Sequence, residues 1–147
     1  MVVSVNSSQK AYYQNIFFED ILVVDQLQIG GPLNGILSVH RKFPGKDLYV
    51  LACDMHQMEI DVLRRMYDSY ILEKNSCDYF VYKNKDYYEP LCGIYTSRAL
   101  DTISQVVQRS MLTRFSMKSI LERGNIFSLD VREENRNSFL NYNEPEF

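Results

Sequence analysis

The sequence lacks both an excess of basic residues and a long apolar run, and each absence excludes a class of protein. Sixteen Lys and Arg residues stand against nineteen Asp and Glu, which gives a net charge of −3 over 147 residues. A general binder of nucleic-acid backbones is therefore not expected, because it needs a concentrated basic surface. No apolar run approaches the roughly 20 residues that cross a bilayer, and the first residues do not form a signal peptide. These features predict a protein that binds neither nucleic acid nor a membrane.

Paired cysteines and linker segments are also lacking. Cys53, Cys77 and Cys92 include no C-x-x-C pair, so neither a disulfide scaffold nor a structural zinc site is expected. Hydrophobic residues make up 46% of the chain and charged residues 24%, which is enough apolar material for a core. Without repeats, low-complexity tracts or Pro/Gly/Ser-rich linkers, the sequence predicts a single, reduced, soluble and cytoplasmic domain over residues 1–147.

Short apolar runs alternate with stretches of helical period. The run at Asp47–Cys53 is nearly continuous in apolar residues, as a strand covered on both faces should be. This alternation predicts an α/β layer architecture with a largely parallel sheet. The predicted strands are Met1–Asn6, Ile21–Asp25, Asp47–Cys53, Cys77–Lys83, Tyr87–Thr96 and Ile126–Val131, and the predicted helices are Lys10–Phe18, Leu33–Phe43, Met58–Leu72, Ser97–Gln108 and Ser116–Arg123, with Asn143 at the start of another.

Polar residues follow successive predicted strands. Asn6, Asp25 and Asp54 each come after an apolar run, and ligands of open α/β sheets collect outside the carboxyl ends of the strands. An amide and two carboxylates could hold a base or ribose and a divalent cation such as Mg²⁺, which takes oxygen ligands. The alternative is that each residue only forms a turn or caps a helix.

A glycine-rich segment, Gly30–Gly35, precedes the second predicted helix. The free N–H groups and partial positive charge of a helix N-terminus suit an anion, and glycines let a ligand approach the backbone closely. Gly-Gly-Pro before a helix is also an ordinary way to end one element and begin the next.

Several of these segments, in this order, carry a resemblance to a known family. They are Asn6, Asp25, GGPLNGILS (Gly30–Ser38), YVLACDM (Tyr49–Met55), YEPLCGIY (Tyr88–Tyr95) and NYNEPE (Asn141–Glu146). Over essentially its whole length the chain resembles the MobA-type nucleotidyltransferases, which are the molybdenum cofactor guanylyltransferases and their cytidylyltransferase relatives. The resemblance implies a Rossmann-like three-layer sandwich with a mostly parallel sheet.

The resemblance also implies a reaction and a set of site residues. The reaction is the transfer of GMP from GTP to Mo-molybdopterin with release of pyrophosphate, with Mg²⁺ as cofactor and other molybdenum cofactor biosynthesis proteins as possible partners. The implied catalytic residue is Asp54, which would contact both nucleotide and Mg²⁺. The implied nucleotide contacts are Asn6, Asp25, Gly31, Pro32, Leu33 and Gly35, with Asn143 near the metal and Glu89–Tyr95 on the pterin side.

One part of the family pattern has no counterpart in the sequence. No segment matches the glycine-rich L-A-G-G-x-S-x-R-M-G loop, with its later lysine, that holds the triphosphate in the family. We therefore expect that a first strand–loop–helix unit is missing, that the chain is a fragment or a gene read from an internal start, and that alone it is nearly inactive.

The missing unit would have a structural consequence as well as a catalytic one. Met1–Asn6 and Asp47–Cys53 would each present an unpaired strand edge. Each N–H or C=O group that is buried there without a partner would lower the stability by about 1–3 kcal/mol. Two alternatives stay open. One is a relative that uses CTP or another phosphorylated acceptor, and the other is a degenerate, non-catalytic paralogue that binds a nucleotide or a partner.

Overall fold

The computed structural model describes residues 1–110 and 115–141, called the described residues below. Asn143, for which the resemblance implies a place near the metal, lies outside them. In chain order the elements are β1 (Val3–Val5), α1 (Lys10–Tyr13), a 3₁₀ turn (Glu19–Ile21), β2 (Leu22–Val24), α2 (Pro32–Lys42), β3 (Leu48–Leu51), α3 (Ile60–Glu73), β4 (Tyr79–Asn84), β5 (Tyr87–Tyr95), α4 (Ser97–Arg109), α5 (Met117–Leu121), β6 (Ile126–Asp130) and a C-terminal 3₁₀ helix (Glu133–Phe139).

The chain divides into two compact units. The first unit comprises Met1–Lys46 with Ser97–Ile120, and the second unit comprises Asp47–Thr96 with Leu121–Phe147. The single domain over residues 1–147 stays a prediction from the sequence.

The first unit is built on a parallel pair of strands that α2 covers. β1 and β2 pair with Val5 opposite Val24, and α2 contacts both strands. Pro32 begins α2, where its missing N–H removes no helical hydrogen bond. The helix buries one apolar face, made by Leu33, Ile36, Leu37 and Val39.

The first helix is shorter than the sequence predicts. The predicted helix at Lys10–Phe18 ends at Tyr13 and continues as irregular turns. The side-chain amide of Asn15 donates to the Ala11 carbonyl oxygen at 3.1 Å, which is the acceptor that its own N–H would use in an α-helix. That N–H instead bonds to Tyr12 at 3.2 Å. Competition of this kind from an Asn side chain ends helices, so the prediction for residues 14–18 is wrong.

The second unit contains a mixed sheet in the order β3-β5-β4-β6. β6 is parallel to β4, whereas β5 is antiparallel to both β3 and β4. Only Lys85 and Asp86 separate β4 from β5, and so short a connection can join only antiparallel neighbours. Lys85 adopts a positive φ of 57° in this hairpin. The α/β class is as predicted, but among the described residues the pairing is mixed rather than mostly parallel.

One face of this sheet forms the core of the second unit. The Tyr82 hydroxyl donates to the Val62 carbonyl oxygen at 2.8 Å, which ties β4 to α3. The ring of Tyr82 meets that of Phe139 edge to face, with centroids 5.1 Å apart. The buried cluster comprises Met55, Val62, Met66, Phe80, Tyr82, Cys92, Ile94 and Phe139.

Within the described residues, four strands have a neighbour on one side only, namely β1, β2, β3 and β6. Within the described residues, β1 pairs with β2 alone and β3 pairs with β5 alone. The sequence predicts an unpaired edge for β1 and β3, and both lie at a sheet edge, as β2 and β6 also do. Separately, no helix among the described residues has both the length and the apolar character to cross a membrane.

Candidate functional site

The ends of β1 and β2 bring Asn6 and Asp25 side by side in the first unit. The strands are parallel, so the residues that follow them emerge at the same edge. The Asp25 N–H donates to the Val5 carbonyl oxygen at 2.9 Å, and its Oδ1 accepts a hydrogen bond from Ser4 Oγ at 3.1 Å. Ser4 is a contact that the sequence did not single out.

Burial changes the acidity of the Asp25 carboxyl. Partial burial raises the pKa of Asp25 above its usual value because it removes water from the anion, and the hydrogen bond from Ser4 opposes this with a smaller effect. The carboxylate therefore lacks part of its solvation. A ligand that supplies an amine or hydroxyl donor would restore it.

Asn6 forms the turn that follows β1, as expected if it acts as a turn residue. Its Oδ1 accepts hydrogen bonds from Ser8 Oγ at 2.7 Å and from the Gln9 N–H at 2.9 Å. Gln9 Oε1 in turn accepts the Asn6 N–H at 3.1 Å. Within the described residues the Nδ2 of Asn6 makes no hydrogen bond. A ligand could therefore use the donor side of this amide, while the acceptor side is already occupied.

Gly35 lets α2 approach Ser4 and Asp25 closely. A Cβ at Gly35 would lie 2.5 Å from Ser4 Oγ and 3.4 Å from Asp25 Oδ1. The first distance is shorter than van der Waals contact allows, so a side chain here would displace the hydroxyl that orients Asp25. The glycine is thus needed for the local geometry of the carboxylate.

We expect Gly35→Ala to destabilise the chain by about 1 kcal/mol, the middle of the net range of about 0–2 kcal/mol. Overpacking typically costs about 1–3 kcal/mol, and the better helix propensity of Ala returns about 0.8–1. Urea denaturation measures the change. In a Ser4→Ala background the closest clash is gone, so Gly35→Ala should destabilise the chain less than it does in the parent. An equal loss of stability in the two backgrounds would show that the Ser4 hydroxyl is not the group displaced.

The loop after Asp25 is tied to α2 by two side chains. Asn34 Nδ2 donates to the carbonyl oxygens of Leu27 at 2.7 Å and Ile29 at 3.1 Å, and its Oδ1 accepts the Leu27 N–H at 3.1 Å. Ser38 Oγ accepts the Gln26 N–H at 2.9 Å. These bonds satisfy four backbone groups of the loop and tie its path from Asp25 to α2.

Sequence reasoning missed Asn34 and Ser38 because polar residues on a helix usually face water. Both are buried. A usable signal was present, since they lie four residues apart and directly follow Leu33 and Leu37, which mark the buried face.

The start of α2 matches the predicted anion-binding segment only in part. Gly31 has a φ of 81°, a conformation that favours glycine, and its carbonyl accepts the Asn34 N–H at 3.2 Å. Pro32 has no N–H. The side chain of Leu33 is buried, so this residue could contact a ligand only through its backbone.

Asp54 lies in the second unit, in a turn directly after β3. The Ala52 N–H donates to the Leu91 carbonyl oxygen at 2.8 Å, and the Met55 N–H closes the turn on Ala52 at 3.4 Å. Met55 is buried in the core cluster, whereas Asp54 stays partly exposed. Among the described residues, the Asp54 carboxylate has no hydrogen-bond or ion-pair partner. It is therefore an acidic group held between two anchored neighbours and available to a ligand.

The Glu89–Tyr95 segment, predicted to face the pterin, contains a bulge. The register with β4 jumps from Gly93 to Glu89 between Val81 and Tyr82, and the Tyr95 hydroxyl donates across the bulge to the Pro90 carbonyl oxygen at 2.7 Å. Bulges often occur beside active sites, where they redirect side chains. Residues 92–95 are buried, so only residues 89–91 retain surface for a ligand.

Comparison with known proteins shows that a family profile matches most of this chain. The profile described as "MobA-like NTP transferase domain" matches residues 1–125. A curated relative, the "Probable molybdenum cofactor guanylyltransferase" of Methanothermobacter thermautotrophicus, is 24% identical over 147 residues, with 99% of this chain and 74% of the relative covered.

Two solved structures share the fold. The "Molybdopterin-guanine dinucleotide biosynthesis protein A" of Archaeoglobus fulgidus gives a TM-score of 0.74 at 27% identity. The match covers 98% of this chain and 72% of the Archaeoglobus chain. A protein from Aquifex aeolicus gives a TM-score of 0.72 at 17% identity, and the match covers 97% of this chain and 71% of that protein's chain. This second likeness supports the fold alone. The α/β nucleotidyltransferase fold that the resemblance implies is thereby confirmed.

Proposed function

Since this chain belongs to the MobA-like NTP transferase family, a family of nucleotidyltransferases, we propose that it acts in molybdenum cofactor guanylylation. GMP would pass from GTP to the phosphate of Mo-molybdopterin, and pyrophosphate would leave. The names of the archaeal relatives support this choice. The observation that carries it is the Asp54 carboxylate, which follows β3 and has no partner among the described residues.

The donor set fits a divalent cation that the protein shares with its substrate. No group of three or more His, Cys, Asp and Glu residues that could hold a metal occurs within residues 1–110 and 115–141. Mg²⁺ commonly binds one or two carboxylates together with substrate phosphates, rather than a cage of protein ligands. Asp54 supplies such a carboxylate. When bound, the cation neutralises charge that develops on the pyrophosphate.

In the first unit, Asn6 and Asp25 would recognise the nucleotide. The Nδ2 of Asn6 is a donor, and the underhydrated carboxylate of Asp25 is an acceptor. Guanine and ribose offer groups of both kinds. Ser4 would orient Asp25, and Gly35 would leave room for that arrangement.

Transfer by this route needs no nucleophilic side chain, because the acceptor phosphate itself attacks. The protein contributes by aligning two phosphates. We expect little turnover from these 147 residues alone, since none of their segments matches the family's triphosphate loop. The surface at residues 89–91 would face the pterin. Other molybdenum cofactor biosynthesis proteins would be the protein partners.

Nucleotide selectivity tests this proposal. We expect GTP with Mg²⁺ to raise the Tm of the chain more than CTP or ATP does at equal concentration, because the stabilisation by a ligand grows with the logarithm of its concentration divided by its Kd. Asp25→Asn should reduce the GTP shift, while Asp20→Asn, an exposed carboxylate of the same unit, should leave it unchanged. A larger shift with CTP would favour the cytidylyltransferase alternative. No shift with any nucleotide would favour a non-catalytic, partner-binding paralogue.

A further inference from the structure

A buried serine near the C-terminus holds the segment that follows Asp54. Ser138, in the C-terminal 3₁₀ helix, has no exposed surface. Its Oγ accepts the Glu59 N–H at 3.3 Å and lies 3.2 Å from both the Gln57 carbonyl oxygen and Glu59 Oε1, either of which accepts its hydrogen. A single hydroxyl thus lies within hydrogen-bond distance of both Gln57 and Glu59.

The next residue reinforces the same connection by packing. Phe139 is buried against the ring of Tyr82 and belongs to the core cluster that contains Met55. Met55 directly follows Asp54 in the chain. Ser138 therefore holds the end of the segment 55–59, and the residue at its beginning, Met55, lies in the same core cluster as Phe139.

We propose that Ser138 is a positioning residue, which holds the Asp54 carboxylate in the geometry that a divalent cation requires. This inference rests on the role proposed above for Asp54. On its N-terminal side the turn is tied to β5 through the Ala52 N–H and the Leu91 carbonyl oxygen. On its C-terminal side the segment is tied by Ser138, and Met55 is buried in the core cluster that contains Phe139. A short segment anchored at both ends samples few backbone conformations, so its carboxylate needs little reordering when a ligand binds.

A purely structural role for Ser138 would have a different signature. Glu59 directly precedes α3, so the serine could simply stabilise the start of that helix. Its removal would then lower the Tm and leave cation affinity at Asp54 unchanged. The deciding readout must therefore report on the cation and not only on folding.

Cys53 offers such a readout beside Asp54. It is a free, exposed thiol, whereas burial raises the pKa of the Cys92 thiol to about 12 and makes it a poor nucleophile. A fluorine tag on Cys53, with its position verified by peptide mass, would broaden in ¹⁹F NMR when Mn²⁺ binds nearby. The titrant is Mn²⁺ with GTP.

We expect Ser138→Ala to raise the Mn²⁺ midpoint about tenfold, in the range seen when groups supporting a metal ligand are removed. Ser69→Ala is the matched control, because it removes a hydroxyl that donates to the Arg65 carbonyl oxygen within α3, and its midpoint should equal that of the parent. In Ser138→Ala, but not in Ser69→Ala, the backbone N–H of Glu59 should also exchange faster with deuterium than it does in the parent chain.

Asp54→Asn separates failure of this inference from failure of the proposed function. If Asp54→Asn raises the Mn²⁺ midpoint of the ¹⁹F titration but Ser138→Ala does not, the positioning role of Ser138 is wrong and the proposed function stands. If Asp54→Asn has no effect, the proposed metal site itself is wrong. In the Asp54→Asn background, Ser138→Ala should add no further loss, and an additional loss there would contradict action through Asp54.

Discussion

Replacing Asp54 with Asn should weaken Mn²⁺-dependent GTP binding by about 100-fold or more. Even groups that only support a metal ligand cost about 10–100-fold when removed, and here the charged ligand itself is lost. The amide has nearly the same shape but no negative charge, so it is a poor ligand for a hard cation. Broadening of the ¹⁹F tag on Cys53 during titration with Mn²⁺ and GTP measures the affinity at this site without requiring turnover.

The same variant should keep the fold. Among the described residues the Asp54 carboxylate has no partner, so the amide breaks no bond and the Tm should change little. Asp68→Asn, an exposed carboxylate on α3 of the same unit, is the control and should bind Mn²⁺ and GTP like the parent. Equal affinity in the Asp54 and Asp68 variants would remove Asp54 from the site.

Gly93→Ala should destabilise the second unit by about 3 kcal/mol or more. A Cβ at Gly93 would overlap the Phe80 carbonyl oxygen and lie 2.9 Å from Val81 Cγ1. The first of these is a backbone atom inside β4, which cannot rotate away as a long side chain could. Overpacking costs about 1–3 kcal/mol even where side chains can adjust, and total stability is only about 5–15 kcal/mol.

Urea denaturation followed by circular dichroism measures this loss. Gly30→Ala is the control, because a Cβ there meets no atom within 4 Å, and its effect should stay within about 0.5 kcal/mol, as at open surface positions. Equal stability of the two variants would mean that the bulge opens to accept the methyl group. The close contact between β4 and β5 would then not be required.

The strands were predictable because their apolar, β-branched runs are local features of the sequence. The shortened first helix was not, because its end depends on the Asn15 side chain taking the Ala11 carbonyl instead of facing water. Mixed pairing in the second sheet could have been inferred from the two-residue connection at Lys85 and Asp86, which permits only an antiparallel neighbour.

The candidate site was predictable where it depends on position along a strand. Asn6 and Asp25 could be placed at one sheet edge from the sequence, because residues that follow neighbouring parallel strands emerge on the same side. Asp54 follows β3, which pairs antiparallel with β5, so its place could be inferred only from its position after an apolar run. The roles of all three residues stay predictions. The residues that hold them were not found, since Ser138 and Glu59 are 79 positions apart and Ser4 and Asp25 are 21 apart. Periodicity identifies a buried face but does not name the partner that the face meets.

Crystals of the chain soaked with Mn²⁺ and GTP would test the central claim most directly. Anomalous difference density locates manganese independently of the refined protein. We expect a peak about 2.0–2.2 Å from an Asp54 carboxylate oxygen, as for hard cations on oxygen ligands, with a nucleotide phosphate completing the coordination. Bound GTP whose manganese contacts only phosphates and water, away from Asp54, would contradict the account.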